Sequence, residues 1–173
     1  MAEIIKTYRQ EIGPLRFIGS RYDDADRMTG KLALQWNRFL VSGWFERLES
    51  LAGGDLTKIY EDGDAYISLM RHKKDEPMQY WIGMFLPAGT EVPEGFDYVD
   101  FSASNLGVCW VYGPDSEVVR CEGTCIDRLV EGSLSTVTDS EGAYWAFVRY
   151  QCPRFTTPDE KGNVILDICH FVA

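Results

Sequence analysis

Very little in this sequence announces a chemistry. It has only two histidines, His72 and His170, far apart along the chain. The cysteines Cys109, Cys121, Cys125, Cys152 and Cys169 are odd in number, and no pair has C-x-x-C spacing. Cys121 and Cys125 stand one helical turn apart, but no nearby His or second pair completes a zinc site. They read as reduced, buried thiols, and neither a metal nor another cofactor is expected. No phosphate-binding or dinucleotide fingerprint occurs, and no G-x-S-x-G elbow. Basic runs stop at Arg71-His72-Lys73-Lys74, which Asp75 and Glu76 follow at once. With 27 acidic against 17 basic residues and a net charge of −10, the chain is a poor candidate for nucleic-acid binding. The same field favours cationic over anionic small molecules. No apolar stretch approaches the roughly 20 residues that cross a bilayer, and Met1 to Lys6 does not open a signal peptide. A cytoplasmic protein without a membrane partner is expected; nothing in the sequence sets an oligomeric state.

Aromatic residues, by contrast, make up 13% of the chain, including five Trp, nine Tyr and nine Phe. Their distribution follows an approximate internal repeat. Ile4 to Ile12 and Leu15 to Tyr22 read as strands broken by Gly13-Pro14. A long amphipathic helix is expected from Lys31 to Ala52, with Trp36, Leu40, Trp44, Leu48 and Leu51 on one face and Gly53-Gly54 as its stop. Ala65 to Met70 and Met78 to Leu86 are the next strand candidates. The grammar then restarts: strands at Phe96 to Ala103 and Leu106 to Tyr112, and a turn at Gly113-Pro114-Asp115-Ser116 that offers an N-cap. A helix from about Glu117 to Glu131 follows, weakened by Gly123, then strands at Tyr144 to Gln151 and Asn163 to Val172. Each half, about 1–87 and 95–173, reads strand, strand, helix, strand, strand. The Pro/Gly-rich stretch 87–95 is a joint inside one α+β domain of eight strands and two helices, and the halves are expected to bury apolar surface against each other. A cleft at their seam is the natural place for a ligand.

Alternation along the strands puts Tyr80, Ile82 and Met84 on one face, as it does Val108, Trp110 and Tyr112, and Tyr144, Ala146, Val148 and Tyr150. Any one of these rings is ordinarily core. So many Tyr hydroxyls need partners or water, however, and the ensemble points to a cleft that cradles a small, flat, apolar molecule. His170, in an apolar tail, reads as a satisfied buried histidine and not a base.

Several stretches resemble the GyrI-like small-molecule-binding superfamily: Tyr80-Trp81-Ile82-Gly83-Met84 with Pro87-Ala88-Gly89, Asn105-Leu106-Gly107-Val108-Cys109-Trp110, Cys152-Pro153-Arg154-Phe155-Thr156-Thr157-Pro158-Asp159 and Ile165-Leu166-Asp167-Ile168. With the doubled plan, the resemblance spans nearly the whole chain. It implies an eight-stranded antiparallel arrangement with two helices and a central pocket for bulky aromatic, often cationic, compounds, as in multidrug-responsive effector-binding domains. Similar stand-alone members resemble hydrolases that open electrophilic cyclopropane rings, and the chain looks like the stand-alone type. The candidate ligand contacts are Phe39, Tyr66, Tyr80, Met84, Trp110, Tyr112, Tyr150 and Asp167. Family members commonly carry a Glu in an aromatic-Glu-Arg-Tyr stretch; here Phe147-Val148-Arg149-Tyr150 puts Val148 at that position. Val148 and Tyr150 thus mark the catalytic position the resemblance implies. Valine can neither pair with a cation nor act as general base. Either that function is lost, or Val148 itself is a substitution, or another acid takes it over. Asp167 is the candidate acid, with a polar rim position as its ordinary reading.

Overall fold

Alternating apolar residues, bounded by turn residues, produce eight strands in the computed structural model, which describes residues 1–27, 32–53 and 66–173. They are β1 (Glu3–Ile12), β2 (Leu15–Tyr22), β3 (Ile67–His72), β4 (Gln79–Pro87), β5 (Asp97–Phe101), β6 (Ser104–Gly113), β7 (Tyr144–Arg149) and β8 (Val164–Val172). Lys31 and Gly54, which bound the first predicted helix, and Ala65, which opens a predicted strand, lie outside the described residues.

All eight strands join in one open antiparallel sheet, in the order β1-β6-β8-β7-β3-β4-β2-β5. Exchanging each strand with its counterpart in the other half reverses this order and leaves it otherwise unchanged. The sheet therefore has a pseudo-two-fold axis through the β3–β7 ladder, where Ser68 faces Val148 and Leu69 faces Phe147. The first strand of each half is traded: β1 pairs with β6, and β5 pairs with β2.

The two predicted helices are four shorter ones, α1 (Ala33–Val41), α2 (Trp44–Glu49), α3 (Asp115–Val118) and α4 (Glu122–Glu131), and there is a further one, α5 (Pro153–Thr156). Gly43, at a left-handed φ of 69°, breaks the first predicted helix between α1 and α2. The second predicted helix breaks after Val118, and Pro114 of the expected turn is the N-cap of α3, with no side-chain capping hydrogen bond. α5 lies in a segment that the sequence suggests is loop. Its signal is Pro153 at the first helical position, where the missing N–H costs nothing.

α1 and α2 pack on β4, and α4 on β6, β8 and β1, all on one face of the sheet. Phe39, Phe45 and Leu48 bury themselves over Ile18, Ile82, Met84 and Leu86 there. Val118, Cys125 and Leu129 do the same over Cys109, Val111, Leu166 and Ile168. Gly107 makes room for α4, because a Cβ there would sit 2.9 Å from the Leu129 methyl groups. The opposite face curls on itself and is filled by its own rings. Phe85 lies 4.9 Å from Phe147 and 5.2 Å from Phe17, centroid to centroid, and Phe101 of the β5 edge stacks 5.0 Å from Phe171 of β8. Such edge-to-face and offset pairs add to the gain from burial.

Gly19 and Gly83 face each other across β2 and β4. A Cβ on Gly83 would lie 2.1 Å from the Ile18 carbonyl oxygen, a contact only backbone movement relieves. Gly83→Ala is expected to destabilise the fold by at least about 2 kcal/mol, read as a lower urea midpoint at unchanged slope. A midpoint equal to that of the unmodified chain would show that this close approach is not a constraint.

Candidate functional site

On the helix-bearing face, α1 and α3 stand apart and leave a cleft of about 940 Å³ above the pseudo-two-fold ladder. Its floor is Tyr66, Ser68, Met70 and Tyr150; one wall is Leu32, Trp36 and Leu40, and the other is Ser116, Val119 and Phe155. Tyr66 and Tyr150 extend the ladder by one pair, the Tyr150 N–H donating to the Tyr66 carbonyl at 2.9 Å. The Tyr66 ring stacks on Phe45 at 3.7 Å. Tyr150 is held edge-on between Trp36 at 5.2 Å and Phe155 at 5.4 Å. Leu40 and Val119, 52% and 44% exposed, present apolar surface to solvent from opposite walls. These are well-braced aromatic surfaces with open volume beside them, within the usual size range of small-molecule sites.

Charge is confined to the rim. Arg27 donates to the Tyr80 hydroxyl at 2.5 Å, covers its ring at 4.5 Å and pairs with Asp24 at 3.2 Å. Asp115 and Arg120 are exposed on the far side. Burial, reinforced by Asp115 and Glu122, pushes the Tyr150 hydroxyl up to about 12, so it stays a protonated donor at neutral pH.

Of the sequence-predicted contacts, the cleft brings together Tyr66, Tyr80 and Tyr150. Phe39 and Met84 lie on the same face but are fully buried in the core under α1 and α2, with Phe39 packed 5.0 Å from Trp44. Val148 also points to this face; it is buried among the residues around Ile168, with Met70 and Tyr150 against that cluster.

Trp110, Tyr112 and Asp167 are on the opposite face, because β6 meets β8 with Trp110 beside Asp167 and Tyr112 beside Ile165. Trp110 is flanked by Lys6 at 4.2 Å and Arg154 at 4.5 Å. The Tyr112 hydroxyl donates to Asp159 at 2.7 Å and accepts from Asn163 at 2.9 Å. Asp167 has no exposure and accepts from Arg149 at 2.7 and 3.0 Å and from Arg154 at 2.5 and 2.7 Å. It is a structural counter-charge for two arginines, with no oxygen left over for a ligand. Alternation gave the correct face within each strand but not which face of the sheet carried the opening.

Trp36, Met70 and Phe155 were not among the sequence-derived contacts. Trp36 read as the core stripe of a helix, and Phe155 could have been found only by taking Pro153 as a helix start.

A smaller pocket of about 380 Å³ adjoins at Met70, which lines both. His72, Met78, Glu122, Gly123, Ile126, Tyr144 and Ala146 complete it. Behind it the Tyr144 hydroxyl hydrogen-bonds His170 Nδ1, while His170 Nε2 is buried without a partner among the described residues. His170 is thus only half satisfied, contrary to its sequence reading. All five cysteines are free, four of them buried. Among the described residues no three His, Cys, Asp or Glu side chains converge as metal ligands. No helix among them is long and apolar enough to cross a membrane.

No protein-family model matches the chain, and no curated protein sequence matches it. Solved structures do. SAV2435 bound to tetraphenylphosphonium is 18% identical with a TM-score of 0.67, covering 98% of this chain and 94% of that one. A putative bacterial transcription regulation protein from Staphylococcus aureus MU50 is 19% identical with a TM-score of 0.62, covering 96% and 97%. The C-terminal domain of EcmrR is 11% identical with a TM-score of 0.57, covering 97% of each chain. A hydrolase from Listeria innocua reaches a TM-score of 0.50 at 10% identity over 97% and 92%. The chain has the GyrI-like fold.

Desolvation depresses the His170 imidazole to about 4 from its ordinary 6.5. In that window the unfolded chain binds a proton that the folded chain refuses. The stability is therefore complete above about pH 6.5 and is lost as pH falls toward 4, by about 3 kcal/mol at most. Urea denaturation as a function of pH should show this limb, and His170→Gln should flatten it. An acid limb of the same steepness in the variant would assign the loss to other groups.

Proposed function

We propose that the cleft binds bulky, flat, hydrophobic or cationic small molecules, in the manner of a multidrug or effector-binding domain. The observation that carries this reading is the placement of Trp36, Tyr66, Tyr150 and Phe155 around open volume at the seam of the two halves. Rings already braced by neighbours lose little freedom when a guest stacks on them. A cleft with apolar walls and a few polar groups at its edge recognises shape and flatness more than a fixed hydrogen-bond pattern. The net charge of −10 raises the local concentration of cationic compounds. SAV2435, whose fold this chain shares, is seen with tetraphenylphosphonium, a bulky aromatic cation. The five free thiols suit a reducing cytoplasmic setting.

Fluorescence polarisation with rhodamine 6G and related dyes is expected to give saturable binding in the micromolar range. Trp36→Ala and Tyr150→Ala should each weaken it about tenfold, roughly 1.4 kcal/mol. Trp110→Phe, on the other face of the sheet, should leave it unchanged. No saturable binding across twenty such compounds, or sensitivity to Trp110 in place of Trp36 and Tyr150, would overturn the proposal.

A further inference from the structure

Glu122 opens α4 and lines the smaller pocket. It is half-buried, and among the described residues it has neither a hydrogen-bond nor an ion-pair partner. Other buried charges among the described residues are tied down: Asp167 to two arginines, Arg71 to Glu76 at 2.8 Å, Arg149 to Asp167. A carboxylate taken from water without a partner is unfavourable, and a protein retains one where something else completes it.

What completes it can be read from the walls. Met70, Met78, Ile126, Ala146 and the Tyr144 ring surround the carboxylate with soft, apolar and aromatic surface. A hard metal ion would require several oxygen ligands, and the Tyr144 hydroxyl is already engaged by His170. An anion would meet the carboxylate itself. A weakly hydrated organic cation, an alkylated ammonium or similar onium group, suits the walls apart from His72: the carboxylate supplies the opposite charge, the thioethers and Ile126 accept its methyl groups, and an aromatic face attracts it. About 380 Å³ accommodates such a head group with its first ring.

The position relative to the large cleft follows the same logic. The cleft rim carries Arg27 and Arg120 against Asp115, so its own charged groups do not favour a cation. The smaller pocket does, and Met70 borders both. We infer that the smaller pocket receives the cationic head of a ligand whose flat apolar body lies in the cleft, with Glu122 as its counter-charge; this rests on the small-molecule reading of the cleft. Groups facing the carboxylate from neighbouring elements are His72 of β3 and Tyr144 of β7, with Asp115 of α3 and Tyr150 close by. Loss of solvent holds the Glu122 carboxyl above its ordinary range, opposed by His72. An arriving cation stabilises the ionised form.

The test compares two probes of one shape, phenyltrimethylammonium and tert-butylbenzene, by calorimetric titration of the full chain and of Glu122→Gln. The substitution keeps size and shape and removes the charge, exchanging one acceptor oxygen for an N–H donor. The unmodified protein should prefer the cation by tenfold or more. Glu122→Gln should abolish that preference and weaken the cationic rhodamine 6G, while leaving tert-butylbenzene affinity unchanged, and its thermal midpoint should equal or exceed that of the unmodified chain. Cation affinity unmoved by Glu122→Gln, with the dyes still bound in the cleft, would overturn the assignment of the smaller pocket alone. Failure of the unmodified chain to bind any probe or dye would take the cleft reading down with it.

Discussion

β1 hydrogen-bonds along its length to β6, a strand of the other half, and β5 returns the exchange by pairing with β2. This reciprocal trade is the constraint on which the rest depends. Withdrawing either outer strand would expose a new sheet edge and break the continuous surface that the helices cover. Because both ends of the sheet are committed across the seam, the β3–β7 ladder at its centre is fixed in register. Tyr66 and Tyr150, one step beyond that ladder, are then held side by side as the cleft floor. Aromatic surface is useful to a guest only where the protein's own rings do not already occupy it. Here the curled face is closed by Phe17, Phe85, Phe101, Phe147 and Phe171, and the opening is left on the face where α1 and α3 stand apart.

The two faces are nevertheless coupled, through the short α5. Its Arg154 reaches the curled face and binds Asp167, which also holds Arg149; Arg149 in turn donates to Gln10 of β1 at 3.0 Å. Its next residue, Phe155, stands in the cleft wall against Tyr150. A buried carboxylate shared by two guanidiniums therefore fixes the angle from which an aromatic ring approaches the cleft on the other side of the sheet. Buried ion clusters of this kind are weak sources of stability but strong constraints on geometry. That role is more fitting for Asp167 than the ligand contact its sequence position suggests.

Much of the architecture is legible in the residues themselves. Eight strands, their doubled order and the burial of the halves against each other follow from period-two alternation and from Gly/Pro punctuation such as Gly13-Pro14. What alternation cannot reveal is which face of a curled sheet stays open, since both faces of β4, β6 and β7 are apolar. Tyr80 and Trp110 carry the same signal in sequence, yet one borders the cleft and the other lies between Lys6 and Arg154. The helix breaks were hidden for a different reason. Gly43 is one glycine within an otherwise unbroken apolar stripe, and only its left-handed backbone turns α1 from α2. Glu122 has no sequence signature at all; its isolation depends on what the neighbouring strands fail to offer it.

The strand exchange also dictates a timetable. β6 (Ser104–Gly113), the partner of β1, is made about 100 residues after it, some 5–20 s at ordinary elongation rates. Until then Glu3–Ile12 has an unpaired ladder and no apolar bed to lie on. β1 is thus placed only once the second half has left the ribosome. A pairing of that sequence separation belongs to slow-folding topologies, in which early-made strands wait longest and depend most on being kept from other edges.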